Sequence, residues 1–138
     1  MNALAFFDTN VLVYADDAGS ATKQKRAIEL FSEHLRQGTA VLSLQVLQEY
    51  FVAATRKFGV LADVAQRKVE IFSRAKVVRF DSHDVVAAIE FHRLTQISFW
   101  DALIVHAARI SGSSILFSED FSSGAMLAGV RVVNPFSS

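Results

Sequence analysis

Asp8 directly follows a short apolar run, and it is the residue of this chain that points most clearly to chemistry. Residues 4–7 are Leu, Ala, Phe and Phe, a pattern typical of a buried strand, so Asp8 would lie at the carboxyl end of that strand. Open α/β sheets bind their ligands at this edge, where a carboxylate favours a cation. The alternative is that Asp8 caps the helix predicted to begin near Asn10, a frequent role of aspartate.

Three further acidic residues occur at positions that the same sheet edge should bring together. Glu49 falls in the helix after the second predicted strand, Asp101 in the first turn of a later helix, and Asp120 just after another strand. Each also has an ordinary explanation. Glu49 could be a solvated helix residue, and Asp101, three residues after Ser98, could complement the amino terminus of its helix. Asp120 could be a turn residue.

A cluster of four carboxylates has a definite electrostatic consequence. The charges repel one another and raise one another's pKa values unless a divalent cation compensates them. Mg²⁺ and Mn²⁺ suit an all-oxygen site, because both are hard ions that bind through a few carboxylates. Such an ion can orient a phosphodiester, stabilise the developing oxyanion and generate a hydroxide nucleophile. The four acids therefore predict metal-dependent nuclease chemistry.

Strand and helix signals alternate along the chain without repeats or low-complexity stretches, which predicts an α/β fold. We expect one domain over residues 1–138, with a central, mostly parallel sheet of four to five short strands flanked by helices. Right-handed crossovers between parallel strands would place the acids along one edge. The predicted strands are 4–7, 40–43, 76–80, 114–117 and 130–133, and the predicted helices after a short one at 10–14 are 22–37, 44–58, 63–74, 82–94 and 98–112.

Composition excludes several classes of function. Fourteen Lys and Arg residues balance fourteen Asp and Glu residues, which argues against a broad basic surface for non-specific nucleic-acid binding. The absence of cysteine excludes disulfides and thiolate metal sites. No apolar run approaches the length of a membrane span, and the first residues show no secretory signal, so we predict a cytoplasmic protein without membrane contact.

The apolar content predicts association with another chain. Hydrophobic residues make up 51% of the sequence and include twelve phenylalanines. We expect the helices between residues 22 and 74 to present an apolar surface to a second copy or an inhibitor, with about half of the candidate residues facing the core instead. The candidates are Phe31, Leu35, Tyr50, Phe51, Phe58 and Phe72.

Four segments occur in a specific order and spacing: residues 8–15, Glu49 in its helix, residues 99–104 and residues 116–121, with a closing stretch at residues 129–136. Together they resemble the PIN domain family, and more narrowly the VapC-type toxins of bacterial toxin–antitoxin pairs. The resemblance implies a metal-dependent endoribonuclease that acts on RNA as the toxin of such a pair, with Mg²⁺ or Mn²⁺ as cofactor. It also implies a homodimer and inhibition by a small antitoxin protein encoded alongside.

Matched residue by residue, the resemblance gives each candidate a role. The positions that hold the metal most directly are Asp8 and Asp101. The positions that complete the acidic pocket are Glu49 and Asp120. The polar positions that hydrogen-bond the carboxylates or the metal waters are Asn10 and Ser118.

Other interpretations bear on this assignment. Glu119 could replace or assist Asp120 in the fourth segment, and we choose Asp120 because it lies two residues past Ser118, so that Glu119 should point elsewhere.

A dehalogenase-type phosphatase would need a second aspartate where Asn10 stands. None of the four histidines shows metal-ligand spacing, so general-base work should fall to a metal-bound water assisted by a carboxylate. The alternative from another class is a catalytically silent PIN-fold module held by a partner protein.

Overall fold

The computed structural model describes residues 3–137, which form six strands and six α-helices. The strands are β1 (Ala5–Phe7), β2 (Ala40–Ser43), β3 (Lys76–Val78), β4 (Ile115–Phe117), β5 (Met126–Leu127) and β6 (Val130–Val133). The helices are α1 (Thr9–Val13), α2 (Ala21–Gln37), α3 (Leu44–Lys57), α4 (Ala62–Phe72), α5 (Ser82–Thr95) and α6 (Phe99–Ile110), with a short 3-10 helix at Tyr14–Asp16. The predicted α/β order is confirmed.

The strands form one mostly parallel sheet in the order β3-β2-β1-β4-β6-β5. β1 pairs in parallel with β2 on one side and with β4 on the other, so that Phe6 lies beside Val41 and Leu116. Helices connect the parallel strands β1, β2, β3 and β4, as parallel strands require a crossover. This topology gathers the carboxyl ends of β1, β2 and β4 at one edge.

The sheet contains one strand more than the four to five predicted from the sequence. β5 and β6 form an antiparallel hairpin in which Leu127 pairs with Val130. The turn between them consists of Ala128 and Gly129, with φ angles of 51° and 82°. Two-residue hairpin turns of this kind need positive φ at both positions, which Asn-Gly signals far more clearly than Ala-Gly. Neither β5's length nor its turn therefore gave a recognisable pattern.

β1 forms the centre of the hydrophobic core. Its three residues are completely buried, as expected for a central parallel strand covered on both faces. The Phe7 ring packs against Phe31 and Phe117, with ring centroids 5.1 Å apart in both pairs. The last strand residue before Asp8 is thus fixed by aromatic packing, which holds the start of the following segment in place.

The predicted apolar surface on residues 22–74 is only partly supported. Phe31, Tyr50 and Phe72 are buried and pack edge-to-face in a row, with Phe72 5.2 Å from Phe31 and 4.8 Å from Tyr50. Leu35 and Phe58 are half-buried, and Phe51 is exposed. The aromatic residues face inward because α3 packs against α4 and the Phe31 ring of α2 contacts the Phe72 ring of α4. The large apolar side chains that these helices and the α3–α4 connection leave exposed are Ile28, Leu44, Phe51, Val52, Leu61, Val64 and Ile71.

Two connections determine where the site residues lie. Ser43 ends β2 and also caps α3, because its hydroxyl accepts a 3.3 Å hydrogen bond from the Val46 N–H. α3 therefore begins at the sheet edge itself. In the second connection, between α2 and β2, Gly38 ends α2 at its carboxyl terminus with a φ of 75°, as its position in the sequence predicts. Among the helices of residues 3–137, none has the length and apolarity needed to cross a membrane.

Candidate active site

The carboxyl ends of β1 and β4 bring Asp8 and Ser118 together. Phe7 and Phe117 are paired in the parallel register, and Asp8 and Ser118 are the next residue of each strand. The Asp8 N–H donates a 2.9 Å hydrogen bond to the Phe117 carbonyl, which extends the strand pairing by one residue. The Ser118 hydroxyl donates to Oδ2 of Asp8 over 2.7 Å. Two residues that are 110 positions apart in the chain are therefore direct partners.

Asp8 is buried, with 5% of its surface exposed, and its carboxylate is held by three donors. Oδ1 accepts a 2.7 Å hydrogen bond from the Thr9 N–H, which makes Asp8 the N-cap of α1. Oδ2 accepts from Ser118 and from the Asn10 side-chain amide over 3.4 Å. The capping interpretation of Asp8 is thus correct, and it leaves Asp8 in the same cleft as the other acids.

Burial raises the pKa of Asp8 to about 7. The hydrogen bonds from Ser118 and Thr9 lower it, whereas the nearby charges of Asp120 and Glu49 raise it further. A carboxylate that is desolvated and repelled by two neighbours favours the protonated form unless a cation approaches. Asp8 is therefore the acid of this cleft that gains most from positive charge.

Glu49 joins the site through a contact that the sequence did not predict. Its Oε1 accepts a 2.7 Å hydrogen bond from the Thr9 hydroxyl, and its Oε2 accepts from the Gln45 amide over 3.3 Å. Thr9 thus donates to both Asp8 and Glu49, through its backbone and its side chain. The position of Thr9 between Asp8 and Asn10 was a signal for this role, although a threonine at a helix start is common.

Asp101 lies in the first turn of α6, and the predicted capping by Ser98 is present. The Ser98 hydroxyl accepts a 3.0 Å hydrogen bond from the Asp101 N–H. The cap uses the backbone of Asp101, while its half-buried side chain lines the same cleft as Asp8. Burial raises the pKa of Asp101, and the charges of Asp120 and Glu49 raise it too, against the effect of Ser98.

Asp120 completes the acidic group from the segment after β4. It is exposed, and its N–H donates a 3.1 Å hydrogen bond to the Ser118 hydroxyl. The four acids line one cleft of about 790 Å³. Within residues 3–137, no three acidic or histidine side chains converge closely enough, as they stand, to hold an ion. In donor type the cleft fits Mg²⁺ or Mn²⁺, because it offers carboxylate oxygens that repel one another.

Glu119 points toward a different set of partners from Asp120. Its Oε1 accepts a 2.7 Å hydrogen bond from the Tyr14 hydroxyl, and its Oε2 forms an ion pair with Nζ of Lys23 over 2.9 Å. Burial acts to raise the pKa of Glu119, but the bonds from Tyr14 and Lys23 outweigh it and the pKa is lowered. Its backbone N–H also donates to Oδ1 of Asn10 over 3.2 Å. Asn10 therefore links Asp8, Ser118 and Glu119.

Histidine takes no part in this cleft. In the described chain, none of the four histidines is among its lining residues. His106 is buried elsewhere, between Asp84 and Arg109, with contacts of 2.8 and 2.9 Å. Proton transfer in the cleft is thus left to water and to the other titratable lining residues, which are the carboxylates, Tyr14 and Lys57.

A sequence model of the PIN domain matches residues 5–122, and the chain belongs to the PIN domain family. The matched region includes all four acids of the cleft together with Asn10 and Ser118. Comparison with curated proteins gives no sequence match.

Three solved structures share the fold over nearly the whole chain. A toxin–antitoxin complex from Klebsiella pneumoniae has 18% identity and a TM-score of 0.70, over 96% of this chain and 98% of that one. The Mycobacterium tuberculosis toxin VapC20, described as cleaving the sarcin-ricin loop, has 24% identity and a TM-score of 0.64, over 92% and 98%. VapBC2 from Rickettsia felis, bound to a promoter DNA fragment, has 21% identity and a TM-score of 0.63, over 94% and 96%.

Proposed function

We propose that this PIN domain is a metal-dependent endoribonuclease and the toxin of a VapC-type toxin–antitoxin pair. The observation that carries the proposal is the cleft that Asp8, Glu49, Asp101 and Asp120 share, in which burial and mutual repulsion raise the pKa values of Asp8 and Asp101. Such an arrangement costs folding free energy, and a divalent cation that binds there recovers it. The fold is shared with a toxin that is described as cleaving the sarcin-ricin loop, and this likeness supports the substrate class.

The residues divide the work as follows. Asp8 and Asp101 would hold Mg²⁺ or Mn²⁺ most directly, and Glu49 and Asp120 would complete the acidic pocket. A bound divalent ion supplies charge stabilisation to the phosphodiester and lowers the pKa of an attacking water. The role of the nearby carboxylates would be to accept the proton of the attacking water.

Asn10 and Ser118 would keep the acidic pocket in shape. The Ser118 hydroxyl donates to Asp8 and accepts from the Asp120 N–H, so it fixes the distance between two of the acids. Asn10 donates to Asp8 and to Ser118 and accepts from the Glu119 N–H. Preorganised donors of this kind remove the cost of arranging the site during the reaction.

The partners follow from the same proposal. The chain would act on RNA and form a homodimer. It would also be inhibited by a cognate antitoxin, which the likeness to a toxin–antitoxin complex supports. Its place of action would be the cytoplasm, where RNA and antitoxin are made. Light scattering of the purified chain, alone and with the protein encoded beside it, tests both associations.

The alternative is a PIN-fold module that binds a partner without cutting RNA. The four clustered acids count against it, because repulsion between them reduces stability and a binding module gains nothing from it. A binding module would work equally well with these acids placed far from one another. The two functions differ in a single measurable property, which is RNA cleavage.

The decisive experiment measures cleavage of RNA with added Mn²⁺ or Mg²⁺ and with a chelator. We expect cleavage that depends on the metal, and its loss in Asp8→Asn, since asparagine keeps the size of the side chain but removes its charge. The matched control is Asp63→Asn, which changes an exposed acid on α4 and should keep the activity. Asp8→Asn protein that cleaves at the wild-type rate, after the same purification, would refute the proposal.

A further inference from the structure

Trp100 is a large aromatic residue that the fold leaves open at the acidic cleft. It is the only tryptophan in the sequence, it is 62% exposed, and it immediately precedes Asp101. Single exposed apolar residues are common on protein surfaces and need no explanation by themselves. Trp100 differs in its location, because it lines the same cleft as all four acids.

The position of Trp100 is fixed from two sides. Its ring packs edge-to-face with Phe99, with centroids 5.3 Å apart and planes at 62°. Its carbonyl accepts a 3.4 Å hydrogen bond from the Gln45 amide, and the same amide donates to Oε2 of Glu49 over 3.3 Å. Gln45 thus connects the backbone of Trp100 to one of the acids. An exposed ring held in register with the acidic pocket is suited to positioning a ligand.

The charge of the cleft offers little attraction to a polyanionic substrate. Six carboxylates and one lysine, Lys57, are among the described residues that line the cleft. The whole chain has a formal net charge of zero, so it lacks the broad positive field that attracts phosphate backbones. Affinity for RNA in this cleft must then come from the metal and from contacts that do not depend on charge. Stacking of a base on an aromatic ring is a contact of that kind, and it accepts any base because every base has a π-face.

We propose that Trp100 stacks on an unpaired nucleobase next to the scissile phosphate and thereby contributes binding affinity for the RNA. The proposal rests on the ribonuclease function argued above. A base inside a duplex is covered on both faces by its neighbours, whereas an unpaired base presents a face to an aromatic side chain. Trp100 contacts the substrate but not the reacting atoms, so it acts on binding rather than on the chemical step.

Cleavage kinetics with Mn²⁺ test this role. Loss of one stacked base raises KM by about tenfold or more in Trp100→Ala, while kcat changes much less. Trp100→Phe keeps an aromatic face and should retain most of the affinity. The control is Leu94→Ala, which removes a side chain of α5 that is 75% exposed and lies outside the cleft. A wild-type KM for Trp100→Ala would overturn the proposal.

Fluorescence provides a second test that does not require cleavage. Because Trp100 is the only tryptophan, the tryptophan emission of the chain reports on this residue alone. A short single-stranded RNA of mixed sequence, added to Asp8→Asn protein in Mg²⁺, should quench and shift that emission, and the same strand annealed to its complement should not. If the wild-type protein cleaves no RNA, the proposed function fails, and the quenching still decides whether Trp100 stacks on a base.

The alternative role for the exposed Trp100 ring is a contact between two copies of the chain. Light scattering of wild type, Trp100→Ala and Leu94→Ala separates it from RNA binding. Loss of self-association in Trp100→Ala alone, with emission that single-stranded RNA leaves unchanged, would overturn the proposal and assign Trp100 to that interface. Unchanged association together with a raised KM supports stacking.

Discussion

The Ser118 hydroxyl donates a 2.7 Å hydrogen bond to Oδ2 of Asp8, which joins the residues that follow two neighbouring parallel strands. Both side chains are buried, with Ser118 completely inaccessible and Asp8 5% exposed. The bond lowers the pKa of Asp8 against the effect of burial. It therefore connects the register of the sheet to the charge state of the cleft.

Ser118→Ala should destabilise the metal-free protein and raise the pKa of Asp8 further. A hydrogen bond to a charged group contributes about 1.5–3 kcal/mol, and the Asp120 N–H loses its partner at the same time. Urea unfolding measures the loss, and a Mn²⁺ titration at neutral pH should show weaker binding. Ser32→Ala, an exposed change on α2, is the control and should unfold as wild type does. Equal stability of the two variants would mean that the bond contributes nothing.

Metal-free protein should become less stable as pH rises from about 4 to about 7. Burial raises the pKa of Asp8 from 3.8 to about 7, so the folded chain binds this proton more tightly than the unfolded chain. The stability that Asp8 contributes is therefore fully present below its unfolded pKa and is lost as pH rises through its folded pKa. Urea unfolding in a chelator across this range measures the slope. Asp8→Asn should lack that part of it, and parallel profiles for the two proteins would contradict the prediction.

Divalent metal should raise the melting temperature, and Asp101→Asn should reduce the effect. An ion that binds the folded chain alone at ~100 times its Kd stabilises it by about 2.7 kcal/mol. For a chain of this size the melting temperature rises by about 9 °C. Melting curves across a Mn²⁺ titration compare wild type, Asp101→Asn and the control Asp63→Asn. Equal shifts in all three proteins would leave Asp101 with a role in its helix start only.

The adjacent acids Glu119 and Asp120 should respond differently to the loss of charge. Asp120→Asn should reduce the rise in melting temperature that Mn²⁺ produces, because Asp120 adds charge beside Asp8 and Asp101. Glu119→Gln should keep that rise, since the Glu119 carboxylate is already paired with Lys23 and Tyr14. The two variants differ by one position and serve as controls for each other. The reverse pattern would assign the fourth acid to Glu119.

The sequence by itself predicted the order of the elements other than β5 and the four acids that line the cleft. Residues 4–7 predicted β1 because four apolar residues in a row are a local signal, and Asp8 followed from it. Gly38 predicted the end of α2 for the same reason, since a left-handed residue after a helix is decided within one turn. The match of residues 5–122 to the PIN domain agrees with the fold that these local signals predict.

Tertiary structure alone decided which side chains meet. The Thr9–Glu49 bond spans 40 residues and the Lys23–Glu119 pair spans 96, and both depend on strand order and register. The burial of Tyr50 likewise follows from the packing of α3 against α4. The local sequence around Tyr50 therefore could not show whether its ring faces the core or a partner chain. Periodicity and capping act over a few residues, whereas pairing and burial are set when the sheet brings distant segments to the same edge.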